Sequence, residues 1–155
     1  MNRTVVHDTF VIDRHYPAAP ARVFTAFADP ATKKQWWNDP DIEKDAAHVI
    51  DFRVGGRESM AGAIPGDGAS FTYDAVYQDI VANSRIVYSY EMTMDGRRIS
   101  VSVATLEFLA DGDGTRLMLT EQGAYLDGLD TSAQREEGTR GLLDALATYL
   151  DKESS

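Results

Sequence analysis

The side chains that could perform metal chemistry in this sequence are few and far apart. His7, His15 and His48 are its only histidines, and they do not share the spacing of metal ligands. A lone histidine is more often structural or solvated than catalytic. We therefore predict no metal site and assign no catalytic role to these three residues.

Two glutamates on predicted strands are candidates for acid–base chemistry. Glu107 and Glu121 could point toward the interior, where Arg14 or Arg53 would be their partners. An inward carboxyl group can act as an acid or a base, but a structural ion pair is the simpler interpretation. The sequence shows no converging acid–base pair, so no catalytic residue is assigned.

Motifs for nucleophiles, phosphates and calcium are also missing. The absence of cysteine excludes disulfides, thiolate catalysis and cysteine-based zinc sites. Neither a Gly-x-Ser-x-Gly motif nor a phosphate loop occurs. The stretch DGDGT at 111–115 resembles the start of a calcium loop, but it lacks the flanking helices and the later glutamate. It is predicted to be a hairpin turn, and no cofactor is expected.

Aromatic side chains, by contrast, recur at spacings that favour a binding pocket. Tyr73 and Tyr77 share one face of a predicted strand, and Tyr88 and Tyr90 share a face of the next. Such rings can hold an apolar ligand while their hydroxyl groups orient one of its polar atoms. The alternative is that tyrosine simply favours strands. Further candidates for the pocket wall are Phe52, Phe71 and Met92.

Small residues line one face of the predicted C-terminal helix. Gly138, Gly141, Leu142 and Ala145 follow the i, i+3, i+4, i+7 spacing of a helix face. Each helical glycine costs roughly 1 kcal/mol relative to alanine, so something must offset it. Close approach of the helix to a sheet is one explanation, and space for a ligand is the one we favour.

The elements that must position these residues can be read from periodicity and turn signals. Alternation predicts a first strand over 9–16, and prolines at 20 and 30 begin two short helices, the second capped by Asp29. Strands joined by hairpins follow, with turn signals at Gly55-Gly56, Asp95-Gly96 and the GDG at 66–68. A capping box of Thr131 and Gln134 opens a helix over about 132–152. This order is α+β, with an antiparallel sheet.

One predicted strand changes the phase of its alternation. Ile99, Val101 and Val103 are apolar at odd positions, whereas Leu106 and Phe108 are apolar at even positions. Such a change indicates a β-bulge, which we expect near residues 104–105.

Composition limits the classes of partner. The 155 residues fit one domain over 1–155, and an apolar fraction of 43% is sufficient for a folded core. The net charge of -10 argues against nucleic acid and against anionic membrane surfaces. No stretch approaches the roughly 20 apolar residues of a membrane span. The opening MNRTVVHDTF also lacks the apolar run of a signal peptide. We expect a cytoplasmic protein.

Four stretches in order resemble a known family. RHYPAAPARVFTAFADPATKKQWW, DFRVGG, GTRLMLTEQG and GLLDALATYL are similar to stretches of the activator of heat-shock-protein-90 ATPase homologue family. That family lies within the START-like SRPBCC superfamily, which includes the birch pollen allergen. The resemblance implies a helix-grip fold, in which a curved seven-stranded antiparallel sheet wraps around a long C-terminal helix. It also implies a cavity between them for an apolar molecule such as a lipid or polyketide, and a role in stress response.

The resemblance predicts where the two tryptophans lie in the fold. In such folds the second short helix, which Trp36 and Trp37 end, lies over the cavity entrance. We predict that one ring packs under this helix and the other lines the mouth; plain helix-to-sheet packing is the alternative. The family often has Gly-Trp early in the last helix, whereas this sequence has Gly138-Thr139. Loss of that large ring favours a wider cavity.

Three functions are compatible with these observations. The leading hypothesis is a non-enzymatic module that binds a hydrophobic, ring-containing small molecule in the cavity. The second is a co-chaperone-like domain whose partner is a chaperone, or a second copy of the chain in a homodimer. The third is an enzyme of the cyclase or hydrolase type that uses the same cavity. An exposed apolar patch outside the pocket would favour the second, and a convergent acid–base pair inside it would favour the third.

Overall fold

The computed structural model describes residues 3–37, 47–63 and 68–154. Within these ranges seven antiparallel strands form one sheet in the order β1-β7-β6-β5-β4-β3-β2. The strands are β1 (Val5–Tyr16), β2 (Ala47–Ile50), β3 (Arg57–Ala63), β4 (Ser70–Val81), β5 (Arg85–Met94), β6 (Arg97–Asp111) and β7 (Gly114–Leu126). The helices are α1 (Pro20–Ala28), α2 (Pro30–Trp36) and α3 (Ser132–Ser154). The predicted α+β helix-grip fold is confirmed.

Both short helices begin at the prolines that predicted them. The Asp29 side chain accepts hydrogen bonds from the Ala31 backbone N–H at 3.1 Å and the Thr32 hydroxyl at 3.0 Å, which caps α2. Helix α1 turns Phe24 and Phe27 inward, where both rings pack edge-on against Phe108 of β6. Helix α1 is therefore anchored on the inner face of the sheet.

The hairpin connections follow the predicted turn chemistry. Asp95 and Gly96 have φ angles of +52° and +79°, the left-handed pair that a type I′ turn requires. Between β2 and β3, a Cβ on Gly56 would lie 2.1 Å from the backbone oxygen of Asp51, so only glycine fits there. Part of the GDG turn predicted at 66–68 lies outside the described residues.

The bulge in β6 is five or six residues earlier than the phase of the sequence predicted. Met92 pairs with Ser100 and Thr93 with Arg98, which leaves Ile99 as the additional residue. After it the even positions face inward, so Val101 points to solvent and the prediction near 104–105 was wrong. The inference assumed that valine marks the inner face. Buried Ser100 occupies that face instead, because its hydroxyl accepts a hydrogen bond from Arg135.

Helix α3 divides into a packed half and an open half. Its first turn is capped by the Thr131 hydroxyl, which accepts from the Gln134 N–H at 3.1 Å. The C-terminal half buries Leu143, Leu146 and Leu150 in the core. The N-terminal half carries small residues and leaves space between helix and sheet. Within the described ranges no helix combines the length and apolar character needed to cross a bilayer.

Candidate ligand-binding cavity

A cavity of about 770 Å³ lies between the sheet and the N-terminal half of α3. This volume is within the range of small-molecule sites. Ten of the residues predicted for the pocket line it: Trp37, Phe71, Tyr73, Tyr88, Tyr90, Met92, Gly138, Gly141, Leu142 and Ala145. The remaining lining residues are Met60, Glu121, Asp130, Gln134, Arg135, Glu137 and Thr139.

The sheet side of the cavity is a wall of aromatic rings. Tyr90 is the central ring, with its centroid 5.0 Å from that of Tyr73 and 5.8 Å from that of Tyr88. Trp37 continues the wall, 6.3 Å from Tyr73. Burial raises the pKa of Tyr73, Tyr88 and Tyr90 well above the usual value for a phenol. These hydroxyl groups therefore remain protonated and can hydrogen-bond without charge.

The helix side of the cavity is built from residues with little or no side chain. A Cβ added to Gly138 or Gly141 would meet no atom within 4 Å. Close packing against the sheet therefore does not explain these two glycines, which line the open space of the cavity. The Thr139 hydroxyl bonds back to the Arg135 carbonyl at 2.9 Å, so this side chain stays close to the helix.

The two tryptophans have different surroundings. Trp36 is 2% exposed, packs edge-on against Phe27 at 4.9 Å and donates its indole N–H to the Ala26 carbonyl at 2.9 Å. Trp37 is half-buried at the cavity, with the Lys33 ammonium 4.2 Å from its ring centre. The structure thus places Trp36 against α1 and Trp37 among the residues that line the cavity.

Three predicted pocket residues do not line the cavity. Trp36 is occupied by its contacts with α1, as described above. Tyr77 points to the other end of the sheet, where its hydroxyl donates to Glu58. Phe52 packs against Tyr77 at 4.9 Å and Phe24 at 5.9 Å. Parity along a strand predicts which face a ring is on, but the position along that face depends on how far α3 covers it.

A buried carboxyl group and a guanidinium form the polar end of the cavity. Tyr90 donates its hydroxyl to Glu121 Oε2 at 2.8 Å and accepts a hydrogen bond from Arg135 Nη1 at 2.8 Å. Arg135 Nη2 also donates to Ser100 Oγ and Asp130 Oδ2. The distance from Arg135 Nη1 to Glu121 Oε2 is 3.9 Å, so the two charges interact without a direct hydrogen bond.

The partners predicted for the two candidate glutamates were wrong. Glu121 is inward but meets Tyr90 and Arg135, whereas Arg14 pairs with Asp144 at 2.6 Å and Arg53 with Asp51 at 2.9 Å. Glu107 is exposed on the outer face of β6. A strand pattern can indicate that a glutamate is inward, but not which distant cation reaches it.

Burial dominates the electrostatics of Glu121. The side chain is almost fully buried, and desolvation raises its pKa to about 7, although the hydrogen bond from Tyr90 and the charge of Arg135 oppose that rise. Among the described residues, no group hydrogen-bonds its second oxygen, Oε1. The cavity therefore contains a carboxyl group that changes charge near neutral pH and has an acceptor atom to spare.

Sequence reasoning missed Arg135, although a signal for it was present. Arg135 lies three residues before Gly138, so the small-residue face of α3 extends back to it at helical spacing. The cues that selected candidates were aromatic and small residues, and a basic residue near a helix start was passed over. Asp130, Gln134 and Glu137, which are polar residues near the start of α3, were missed for the same reason, and Met60 was also not selected.

A second polar cluster lies away from the cavity and is fully paired. Glu58 Oε1 accepts from Lys33 Nζ at 2.6 Å and from the Tyr77 hydroxyl, and Oε2 lies 2.8 Å from His48 Nε2. Although burial acts to raise the pKa of Glu58, Lys33 and these hydrogen bonds outweigh it and lower the pKa to about 2. In the parts of the chain that the structure describes, no three potential metal ligands gather.

Comparison with known proteins places the chain in a family. Residues 17–151 match the family of Activator of Hsp90 ATPase homolog 1-like proteins. No curated protein matches the sequence. The crystal structure of the Mll3558 protein from Rhizobium loti is 49% identical, covers 94% of this chain and 99% of its own, and has a TM-score of 0.87. A protein from Rhizobium leguminosarum is 41% identical over 98% of this chain and 99% of its own, with a TM-score of 0.92.

A more distant structure shares the fold. The solution structure of the AHSA1-like protein from Aeromonas hydrophila is 22% identical, with coverage of 95% of this chain and 94% of that one and a TM-score of 0.67. The fold, the cavity and the match over most of the sequence lead to one conclusion. The chain belongs to the family of Activator of Hsp90 ATPase homolog 1-like proteins and has its START-like helix-grip fold.

Proposed function

We propose that this protein binds a hydrophobic, ring-containing small molecule in the cavity between the sheet and α3 and releases it unchanged. The observation that carries the proposal is the pairing of an aromatic wall with a helix face whose two glycines look onto open space. Each helical glycine costs about 1 kcal/mol, and no close packing explains that cost here. A bound ring would fill the space and stack on the tyrosines.

The polar end of the cavity supports a ligand with one polar group. The tyrosine hydroxyls and Glu121 are grouped around Tyr90, whereas Trp37, Met60 and Met92 contribute apolar surface. Ligand sites commonly combine an apolar lining with a few placed polar groups that orient the ligand. The cavity has this composition.

The enzyme alternative has one specific observation in its favour. Glu121 has a pKa of about 7, which suits a general acid or base. However, the phenol beside it is held protonated by burial, and Asp130 is engaged by Arg135. Neither Tyr90 nor Asp130 is therefore available as the second group of an acid–base pair with Glu121.

The co-chaperone alternative would need an apolar surface outside the cavity. Exposed valines do occur on the outer face of β6, including Val101 and Val103. Their cross-strand neighbours are Glu91 and Ala124 for the first and Ser89 and Gln122 for the second. Polar residues therefore interrupt the apolar surface at this point, which is less than a docking patch for a protein partner requires.

The test is native mass spectrometry of the protein purified gently from its source cell. A small molecule that co-purifies and is recovered with unchanged mass after incubation supports the proposal. Thr148→Leu is a suitable control for cavity-filling variants, because Thr148 is exposed on α3 and does not line the cavity. Failure of every ring compound tested to bind, or conversion of a bound compound to a product, would overturn the proposal.

A further inference from the structure

We propose that the cavity selects ligands whose polar group is a cation, namely a hydrophobic ring system bearing an ammonium group, over neutral and carboxylate analogues. This inference rests on the proposed function, since it names the ligand class of the same cavity. It follows from the charges of the lining, the unused acceptor of Glu121 and the aromatic surfaces beside it.

The charged groups of the lining are mostly acidic. Glu121, Asp130 and Glu137 are carboxyl groups, and Arg135 is the one cation among the described lining residues. Arg135 is moreover already neutralised, because it donates to Asp130 and lies 3.9 Å from Glu121. An incoming carboxylate would meet a guanidinium whose bonds are in use and two carboxyl groups that repel it.

Two of the N–H groups at the start of α3 are already bonded, which weakens this point as a competing anion site. Free N–H groups at a helix start attract anions. Here the Gln134 N–H is bonded by the Thr131 hydroxyl at 3.1 Å, and the Thr131 N–H by Asp130 at 2.8 Å. The side chain of Asp130 adds negative charge at the same point. An anion at this end of the cavity would therefore lie beside the Asp130 carboxylate and find fewer open N–H groups.

The aromatic wall can hold an ammonium group directly. Ammonium groups are attracted to the faces of tyrosine and tryptophan rings, most strongly where water is excluded. Tyr73 and Tyr88 offer such rings beside Tyr90, whose own ring already has the Arg135 guanidinium 5.5 Å from its centroid. Glu121 Oε1, which no described group bonds, is the oxygen left to attract the cation's charge.

A cation that binds here should draw a proton off Glu121. The groups that face this carboxyl are Tyr88 and Tyr90 from β5, Arg135 from α3, Asp130 before α3 and Tyr125 on its own strand. The flanking residues in the sheet register, Phe10 on β1 and Ala104 on β6, carry no charge. Because the pKa of Glu121 is about 7, affinity for a permanent cation should rise as pH increases through 7.

The experiment compares three naphthalene probes by calorimetry. They are 1-naphthylmethyl-trimethylammonium, its neutral carbon isostere 1-neopentylnaphthalene, and 1-naphthylacetate. We expect the cation to bind about tenfold tighter than the neutral isostere at pH 8, with the anion weakest; tenfold corresponds to about 1.4 kcal/mol. Glu121→Gln, which keeps an acceptor for Tyr90, should reduce the cation-to-neutral affinity ratio about tenfold and remove its dependence on pH.

Glu137→Gln is the matched control, because Glu137 is an exposed carboxylate that also lines the cavity. Its effect on the ratio should be smaller and should disappear at high salt. If the neutral probe or the anion binds as tightly as the cation, or if Glu121→Gln leaves the ratio unchanged, the charge preference is overturned and the cavity remains a binding site. If none of the three binds, the proposed function itself fails.

Discussion

Two buried glutamates on the inner face of this sheet have opposite electrostatic surroundings. Both oxygens of Glu58 are bonded, by Lys33, Tyr77 and His48, and its pKa is lowered to about 2. Glu121 is buried to the same degree, but only one of its oxygens is bonded by a described group, and its pKa is raised to about 7. Burial acts to raise the pKa of both carboxyl groups, and their charged and hydrogen-bonding partners act to lower it. The partners outweigh burial at Glu58, and burial outweighs them at Glu121.

The difference separates a structural ion-pair site from the carboxyl group of the proposed ligand site. Glu58 has no acceptor left and ties α2 to β3, so its charge is a fixed part of the fold. Glu121 lines a cavity of about 770 Å³ and carries a charge that its own partners do not fully compensate. An uncompensated buried charge destabilises the ligand-free protein. A bound cation would compensate this charge and so gain binding free energy.

The largest expected effect is the loss of stability on removing the charge of Glu58. Glu58→Gln should lower the free energy of unfolding by about 3 kcal/mol or more at pH 7, because it leaves the Lys33 ammonium buried without its counter-charge. Glu121→Gln at the same pH should leave stability unchanged or increase it. Urea unfolding of both variants and the wild type measures this. Equal losses in the two variants would abolish the distinction between the sites.

The same contrast predicts opposite pH dependences of stability. The pKa of Glu58 is lowered, so its contribution is present above pH 4.5 and is lost as pH falls toward 2. The pKa of Glu121 is raised, so its native site binds the proton more tightly than the unfolded chain does. Stability is therefore lost as pH rises from 4.5 to 7. Each shift corresponds to at most about 3 kcal/mol.

The contribution of Glu121 is isolated by measuring the free energy of unfolding against pH for the wild type and Glu121→Gln and subtracting the second curve from the first. The wild type should lose stability relative to the variant between pH 4.5 and 7. A difference curve that is flat across this range, or one that rises, would show that Glu121 is compensated in the native state after all.

Filling the open side of the cavity should affect binding and stability in opposite directions. Gly141→Leu places a side chain where a Cβ meets no atom within 4 Å. We expect ligand affinity to fall about tenfold or more, while the free energy of unfolding increases by about 0.5 to 1 kcal/mol because leucine is the better helix former. Calorimetry with a bound ring compound and thermal unfolding measure the two effects. Thr148→Leu is the control, and a loss of stability in Gly141→Leu would mean that the glycine serves packing.

The smallest expected effect distinguishes the two tryptophans, which are adjacent in sequence but differ in setting. Trp37 faces the cavity and Trp36 is enclosed by α1. The change in tryptophan emission on ligand binding should persist in Trp36→Phe and be mostly lost in Trp37→Phe. A ligand proven by calorimetry that leaves the emission of both variants and the wild type unchanged would place binding elsewhere.

Much of the fold could be predicted from local patterns, because helix caps, turns and strand alternation depend on residues that are near one another in the sequence. Prolines and Asp29 set the helix starts, Asp95-Gly96 set a turn that only left-handed backbone allows, and alternation placed Tyr73 and Tyr90 on one face. The same logic failed at Val101 and Val103, where hydrophobicity was used as the guide to the inner face but both side chains are exposed. A buried serine bonded by Arg135 was inward instead, and its partner is 35 residues away.

The sequence by itself determined the order of elements, the aromatic face, the small-residue face of α3 and the family. Only the tertiary structure decided that Tyr77 bonds Glu58 and that Tyr90 bonds Glu121. It also decided that Lys33 fully compensates the charge of Glu58, whereas Arg135 compensates that of Glu121 only in part. The physical reason is that a buried charge responds to atoms within a few ångströms. Those atoms come from residues 14 to 31 positions away for Glu121 and 10 to 25 for Glu58. No spacing rule for a single helix or strand reaches that far.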